Sequence, residues 1–178
     1  MIRVLCLGNE LARDDGVGIR VGRVLRSLPL PDGTEVVFRP ALGFESLDDC
    51  QGCESLIVVD AASTGEAPGT CRLRDLDVLA ASAPPFGSTH ALGLGQLVEV
   101  ARRLGRLPPS IHVVTVEAES LEPHSVELGP AVAAALPRAV DLVLDLVGAS
   151  GALRDLACER AARYARGLTL EELLGGGR

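Results

Sequence analysis

Apolar and polar residues follow one another in blocks that predict alternating strands and helices. Two unbroken apolar runs, at residues 2–7 and 56–59, are typical of strands buried on both faces of a parallel sheet. Apolar residues at helical spacing from residue 17 onward predict a helix that Pro29 and Pro31 end. The same reasoning predicts strands at 34–38, 70–73 and 111–116, and helices at 44–51, 90–104 and 130–147.

This alternation of strand and helix predicts an α/β fold, a three-layer αβα sandwich around a mostly parallel twisted sheet. Pro137 lies inside the 130–147 helix and predicts a kink or a local break there. We assign residues 1–147 to the α/β domain. Residues 148–178 have Gly-rich ends and are predicted as a helical extension of unknown role. Three alternatives stay open for this extension: it packs on the core, forms a partner surface, or is loosely ordered.

The composition excludes several classes of protein. Aromatic residues make up 2% of the 178 positions and the net charge is -7, so the chain offers few platforms for base stacking and repels phosphate. We therefore expect no nucleic-acid partner. No apolar stretch approaches the roughly 18–20 residues of a membrane span, so we expect no membrane insertion. Five scattered cysteines favour a reducing cytoplasm over a disulfide framework. We expect the protein to be a monomer.

Polar residues with metal-binding chemistry occur where predicted strands end. Asp14 and Asp15 lie in the loop after the first strand, Asp60 directly ends the strand at 56–59, and His90 precedes a helix. Ligands of open α/β sheets gather outside the carboxyl ends of the strands. Two carboxylates and one imidazole suit nickel, zinc, iron or manganese, and three protein ligands leave coordination positions open.

Each of these residues also has a purely structural interpretation. Asp14 or Asp15 could cap the following helix and complement its dipole. Asp60 could be a turn former, and His90 could be an ordinary structural histidine. Their joint placement at one edge of the sheet favours the functional interpretation, because independent capping does not require it.

Four stretches, in order, resemble the hydrogenase maturation protease family. The first, LGNELARDDGVG at 7–18, follows the family pattern GN-x-L-x-x-D-[DE]-G-x-G. The others are IVVDA at 57–61 with APGT at 67–70, STHALGL at 88–94 and ESLEPH at 119–124. The resemblance extends from the first strand to about Val147.

The resemblance implies an aspartic-type endopeptidase in which Asp15, Asp60 and His90 are the catalytic and metal-contacting residues. It implies that the metal is nickel supplied by the substrate, a nickel–iron hydrogenase large-subunit precursor, from which a C-terminal peptide is removed. Two alternatives stay open: a non-catalytic maturation chaperone that checks metal loading, and a self-contained metal-dependent peptidase acting on another substrate.

A few features stand apart from this pattern. Residues 38–43 replace an Asp-Gly-Gly-Thr-like loop of the family, and only Gly43 fits, so the loop is expected to be stiffer and more cationic. Cys50 and Cys53 have C-x-x-C spacing but no second pair, and we interpret them as incidental cysteines. His112 is expected to be a packed or edge strand residue, whereas His124 fits a turn and a support to the site equally well.

Overall fold

The computed structural model describes residues 1–74, 93–123 and 125–165. Strands and helices alternate over these residues, as the sequence predicts. The strands are β1 (Ile2–Leu7), β2 (Thr34–Arg39), β3 (Ser55–Ala62), β4 (Cys71–Arg74) and β5 (Ser110–Glu117). The helices are α1 (Val17–Arg26), α2 (Ser46–Asp49), α3 (Leu94–Arg103), α4 (Pro130–Leu146) and α5 (Gly151–Ala165), and a 3₁₀ turn (Arg13–Gly16) precedes α1.

The five strands form one sheet in the order β2-β1-β3-β5-β4. β1 pairs in parallel with β2 and β3, and β3 pairs in parallel with β5. The short edge strand β4 runs antiparallel to β5. The predicted mostly parallel sheet is therefore confirmed.

Helices cover both faces of this sheet and so complete the three layers. Val4 and Ile57 face a core shared with α1, α4 and α5. Leu5 and Val58, one position further along the same strands, face a second core shared with α2 and α3. Side chains alternate between faces along a strand, so an unbroken apolar run supplies both cores at once.

The clearest differences from the predictions concern α2, α4 and β3. α2 is shorter than predicted, and α4 runs through Pro137 without a break. β3 continues past Asp60, because Asp60, Ala61 and Ala62 stay in register with β5. Asp60 therefore lies inside the strand, two residues before its end, and not directly at the end as predicted.

α5 packs on the core. Leu153, Ala157 and Ala161 are buried in the same cluster as residues of α1 and α4. Of the three alternatives for the extension, packing on the core applies to this helix. Within the described ranges, no helix has both the length and the apolar character that a membrane crossing requires.

Candidate functional site

The direction of strand addition reverses between β1 and β3. The chain passes from β1 to β2 on one side and then places β3 on the other side of β1. In open α/β sheets, the carboxyl edge at such a switch point is where ligands bind. The loop after β1 and the last residues of β3 flank this point, and they carry Asp15 and Asp60 respectively.

The loop between β1 and α1 holds Asp15 by a backbone contact. Gly8 leaves β1 with a φ of +129°, a conformation that favours glycine. The Asp15 carboxylate then accepts the backbone N–H of Asn9 at 2.8 Å, while the side chain stays partly exposed. The remaining acceptor capacity of this carboxylate is thus available at the edge of the sheet.

Neither Asp14 nor Asp15 caps α1, so the capping interpretation is wrong: the N-cap residue is Gly16, with no side-chain hydrogen bond. Asp14 is fully buried, and its carboxylate accepts three backbone N–H groups. The donors are Glu119 at 2.9 Å, Ser120 at 3.0 Å and Gly129 at 2.6 Å. Asp14 therefore ties the Asp15 loop to the segment between β5 and α4, a role that the sequence analysis did not identify.

Asp60 is a partly buried carboxyl group near Asp15. Burial raises its pKa to about 7, the N–H of Ala61 opposes that rise, and the negative charge of Asp15 adds to it. The Ala61 N–H donates to the Asp60 carboxylate at 2.8 Å. The structure thus brings the two predicted carboxylates close enough to interact. A carboxyl group with a pKa near 7 exchanges a proton readily at neutral pH, as general acid–base chemistry requires.

Glu117, at the end of β5, fixes the loop that follows β3. Its buried carboxylate accepts the Thr64 N–H at 2.6 Å, the Thr64 hydroxyl at 2.8 Å and the Gly65 N–H at 2.7 Å. Burial acts to raise the pKa of Glu117, but these hydrogen bonds outweigh it and hold the pKa below its usual value. The sequence analysis missed this residue, because a Glu at a strand end carries no distinguishing local signal.

The third predicted ligand, His90, lies outside the described residues, as does His124. The described chain resumes at Gly93, the N-cap of α3. Among residues 1–74, 93–123 and 125–165, no three His, Cys, Asp or Glu side chains are grouped so that they could hold a metal ion. The ligand set Asp15, Asp60 and His90 therefore stays a prediction.

The C-x-x-C cysteines belong to the core. Cys50 and Cys53 are buried, and their thiols donate to backbone carbonyls of Ser46, Asp49 and Cys50. Burial, followed by the neighbouring charges of Cys53 and Asp49, raises the pKa of the Cys50 thiol to about 11. A protonated, buried thiol is a poor nucleophile and a poor metal ligand.

The loop after β2 is less cationic than its sequence suggests. The Arg39 guanidinium forms two hydrogen bonds with the buried Asp49 carboxylate, at 2.9 and 3.0 Å. This pairing, with the hydrogen bond as its largest cause, raises the pKa of Arg39. The expected extra cation is thus neutralised, and the most exposed large apolar side chain of this loop is Phe44.

The fold and the two interacting carboxylates define the class: an α/β protein with an acidic site at the switch point of its sheet. The family model of HycI, hydrogenase maturation protease, matches residues 29–146, which include Asp60. The chain belongs to the hydrogenase maturation protease family.

Relatives with known names agree with this assignment. The hydrogenase 2 maturation protease of Escherichia coli is 37% identical over 153 residues, covering 84% of this chain and 92% of the relative. The hydrogenase expression/formation protein HoxM of Azotobacter vinelandii is 31% identical and covers 97% of this chain and 89% of its own length. That second match therefore extends into the residues after Val147.

A solved structure agrees as well. The hydrogenase maturating endopeptidase HybD from Escherichia coli superposes with a TM-score of 0.74 at 35% identity, covering 84% of this chain and 93% of that one. The α/β architecture of the present chain is thus that of a solved member of the family.

Proposed function

We propose that this protein is an endopeptidase that removes the C-terminal peptide of a nickel-loaded hydrogenase large-subunit precursor. Asp15, Asp60 and His90 would contact nickel that the precursor supplies. The observation that carries the proposal is the pair of carboxylates at the switch point, where the negative charge of Asp15 adds to the raised pKa of Asp60. Membership of the maturation protease family supports the reaction class.

The chemistry of the carboxylates suits a metal that arrives with the substrate. Two oxygen donors, one from the β1–α1 loop and one from β3, joined by one imidazole, leave coordination positions open. Such a site gains full coordination only when a partner presents the ion together with its own ligands. Binding at this edge would therefore report that the precursor has been loaded.

The reaction is the addition of water across one peptide bond of the precursor. A metal next to the bond polarises its carbonyl oxygen or activates water. Asp15 and Asp60 are the candidate general bases, and the proposal does not choose between them. We place the reaction in the cytoplasm, since five free cysteines suit a reducing compartment.

The test is a cleavage assay on a purified precursor, with and without loaded nickel, followed by mass spectrometry. We expect wild-type protein to release a C-terminal peptide only from the loaded precursor. Asp15→Ala, Asp60→Ala and His90→Ala should each lower the rate by at least about a hundredfold, because each removes a group at the reacting centre. Asp32→Ala, at an exposed turn after α1, is the matched control and should cleave at the wild-type rate.

The two other functions give different results in the same assay. A maturation chaperone would bind the loaded precursor without any change in its mass, and that result would overturn the proposal. A self-contained peptidase would carry stoichiometric metal when purified and cleave short peptides without a loaded precursor. That outcome would overturn the substrate-supplied metal.

A further inference from the structure

A buried arginine joins three separate parts of the fold, one of which is the loop that carries Asp15. Arg20, in the first turns of α1, is 1% exposed. Its Nε lies 3.2 Å from the carboxylate of Glu10. Its Nη2 donates to the carbonyl of Val126 at 2.7 Å, and its Nη1 donates to the carbonyl of Tyr164 at 3.1 Å. These three partners lie in the β1–α1 loop, in the segment before α4, and at the end of α5 as described.

The ion pair with Glu10 compensates the buried charge of Arg20, and the two carbonyls accept hydrogen bonds from its Nη atoms. Burying a cation costs several kcal/mol unless its charge and its donors are satisfied. The planar guanidinium presents donors in fixed directions, so that it can reach partners on several sides at once, as a lysine cannot. Glu10 is held from its other side by Arg23, with contacts of 2.7 and 3.1 Å. The carboxylate is thus fixed between two arginines of the same helix.

Glu10 and Val126, two partners of Arg20, are each adjacent in sequence to a residue that forms hydrogen bonds with the Asp15 loop. Glu10 follows Asn9, whose N–H donates to the Asp15 carboxylate. Val126 follows Ser125, whose carbonyl accepts the Arg13 N–H at 2.8 Å and whose N–H donates to the Leu11 carbonyl at 3.2 Å. Arg20 therefore supports the Asp15 loop at two places: through Glu10 within the loop, and through Val126 in the segment that forms hydrogen bonds with the loop.

We propose that Arg20 is a positioning residue for Asp15, and that α5 takes part in this positioning through the Tyr164 carbonyl. The guanidinium fixes Glu10 and Val126, and through them the orientation of the Asp15 carboxylate. The sequence left the role of α5 open. Its Tyr164 carbonyl accepts a hydrogen bond from the guanidinium and so helps to fix the orientation of Arg20. Only the cleavage readout of the following test rests on the proposed function.

The test compares Arg20→Lys with Arg26→Lys in the full-length protein. Arg26 is the control because it lies on the same helix, donates to the Val36 carbonyl at 3.2 Å and stacks on Phe38, and both partners belong to β2 rather than to the loop that carries Asp15. Four quantities are measured: amide hydrogen exchange rates by NMR, the melting temperature, and kcat and KM on the loaded precursor.

Arg20→Lys should accelerate exchange of the Asn9 and Arg13 amides about tenfold more than exchange in the interior of β3, because a lysine reaches only one of the three partners. The kcat should fall by about tenfold or more, with KM changed by less than about twofold, because a shifted carboxylate affects the reacting centre rather than docking. Arg26→Lys should show neither local effect, even where it lowers the melting temperature.

A second variant, Glu10→Gln, tests the same link from the other end and should accelerate exchange at Asn9 in the same way. If Arg20→Lys accelerates exchange evenly over the whole chain, or leaves Asn9 and Arg13 unchanged, Arg20 only stabilises the fold and the proposal is overturned. If the wild-type protein does not cleave the precursor, the proposed function fails, whereas the exchange data still decide the positioning role.

Discussion

At the scale of single residues, two buried carboxylates organise the site without being part of the predicted ligand set. The Asp14 carboxylate accepts hydrogen bonds from three N–H groups of the segment between β5 and α4. The Glu117 carboxylate accepts three hydrogen bonds from the loop after β3. Hydrogen bonds to a charged acceptor are stronger than neutral ones. Each carboxylate therefore fixes a loop next to one member of the Asp15–Asp60 pair.

The pKa of Glu117 leads to a prediction about stability and pH. Because its folded-state pKa is lowered from 4.5, the ionised form stabilises the fold above that pH, and this stabilisation is lost as the pH falls through the folded-state pKa. Glu117→Gln should lower the free energy of unfolding by about 2 kcal/mol at pH 7. The difference from wild type should shrink below about pH 4.5. Urea denaturation at pH 7 and pH 4 measures both values.

Glu54→Gln is the control for Glu117→Gln, because the Glu54 side chain is 85% exposed and its carboxylate pairs with the N-terminal amine of Met1. This variant should change stability by less than about 0.5 kcal/mol at either pH. A Glu117→Gln deficit that is equally large at pH 4 and pH 7 would contradict the role of ionised Glu117.

At the scale of elements, the close approach of α1 to the sheet shapes the switch point. A Cβ at Gly18 would collide with the carbonyl oxygen of Leu7 and lie 2.6 Å from that of Val59. Both oxygens belong to the backbone of central strands, which cannot shift without breaking the sheet ladder. Glycine at this position lets the first turn of α1 pack directly on the end of β1 and on β3 at Val59.

Gly18→Ala should therefore destabilise the protein by about 2 kcal/mol or more, although alanine normally favours a helix over glycine. Gly151→Ala is the matched control, since Gly151 is also helical and a Cβ there meets nothing within 4 Å. That variant should be neutral or slightly stabilising. Thermal unfolding of both variants makes the comparison, and equal effects would refute the close packing at Gly18.

At the scale of the whole molecule, α5 is part of one core with α1 and α4. Its buried positions, Leu153, Ala157 and Ala161, recur every four residues and so share one face of the helix. Residues 151–165 thus contribute to the α/β sandwich in addition to contacting Arg20. A match that covers 97% of this chain in the HoxM relative agrees with a shared C-terminal region.

Leu153→Ala should lower the free energy of unfolding by about 2–3 kcal/mol, because it removes buried methyl groups from that core. Leu104→Ala removes the same atoms from a side chain that is 56% exposed, and it should change stability by less than about 0.5 kcal/mol. Chemical denaturation measures both. If both substitutions lower the free energy of unfolding by the same amount, α5 does not contribute to the core.

The sequence by itself determined the order of the elements and which apolar runs are strands buried on both faces of the sheet. Unbroken apolar runs identified β1 and β3, helical spacing identified α1 and α3, and Asp15 and Asp60 were selected because they follow apolar strand runs, although Asp60 lies inside β3. These features are local, because side-chain periodicity depends only on neighbouring residues. They were enough to predict the α/β class and to place two carboxylates at one edge.

Only the tertiary structure decided what holds that edge together. Gly129 binds Asp14 from 115 positions away, and Tyr164 binds Arg20 from 144 positions away. The continuation of β3 past Asp60 likewise depends on pairing with β5. A buried charge finds its hydrogen-bond partners only when segments distant in sequence pack around it. A local sequence pattern therefore cannot predict which carbonyl or N–H group will contact that charge.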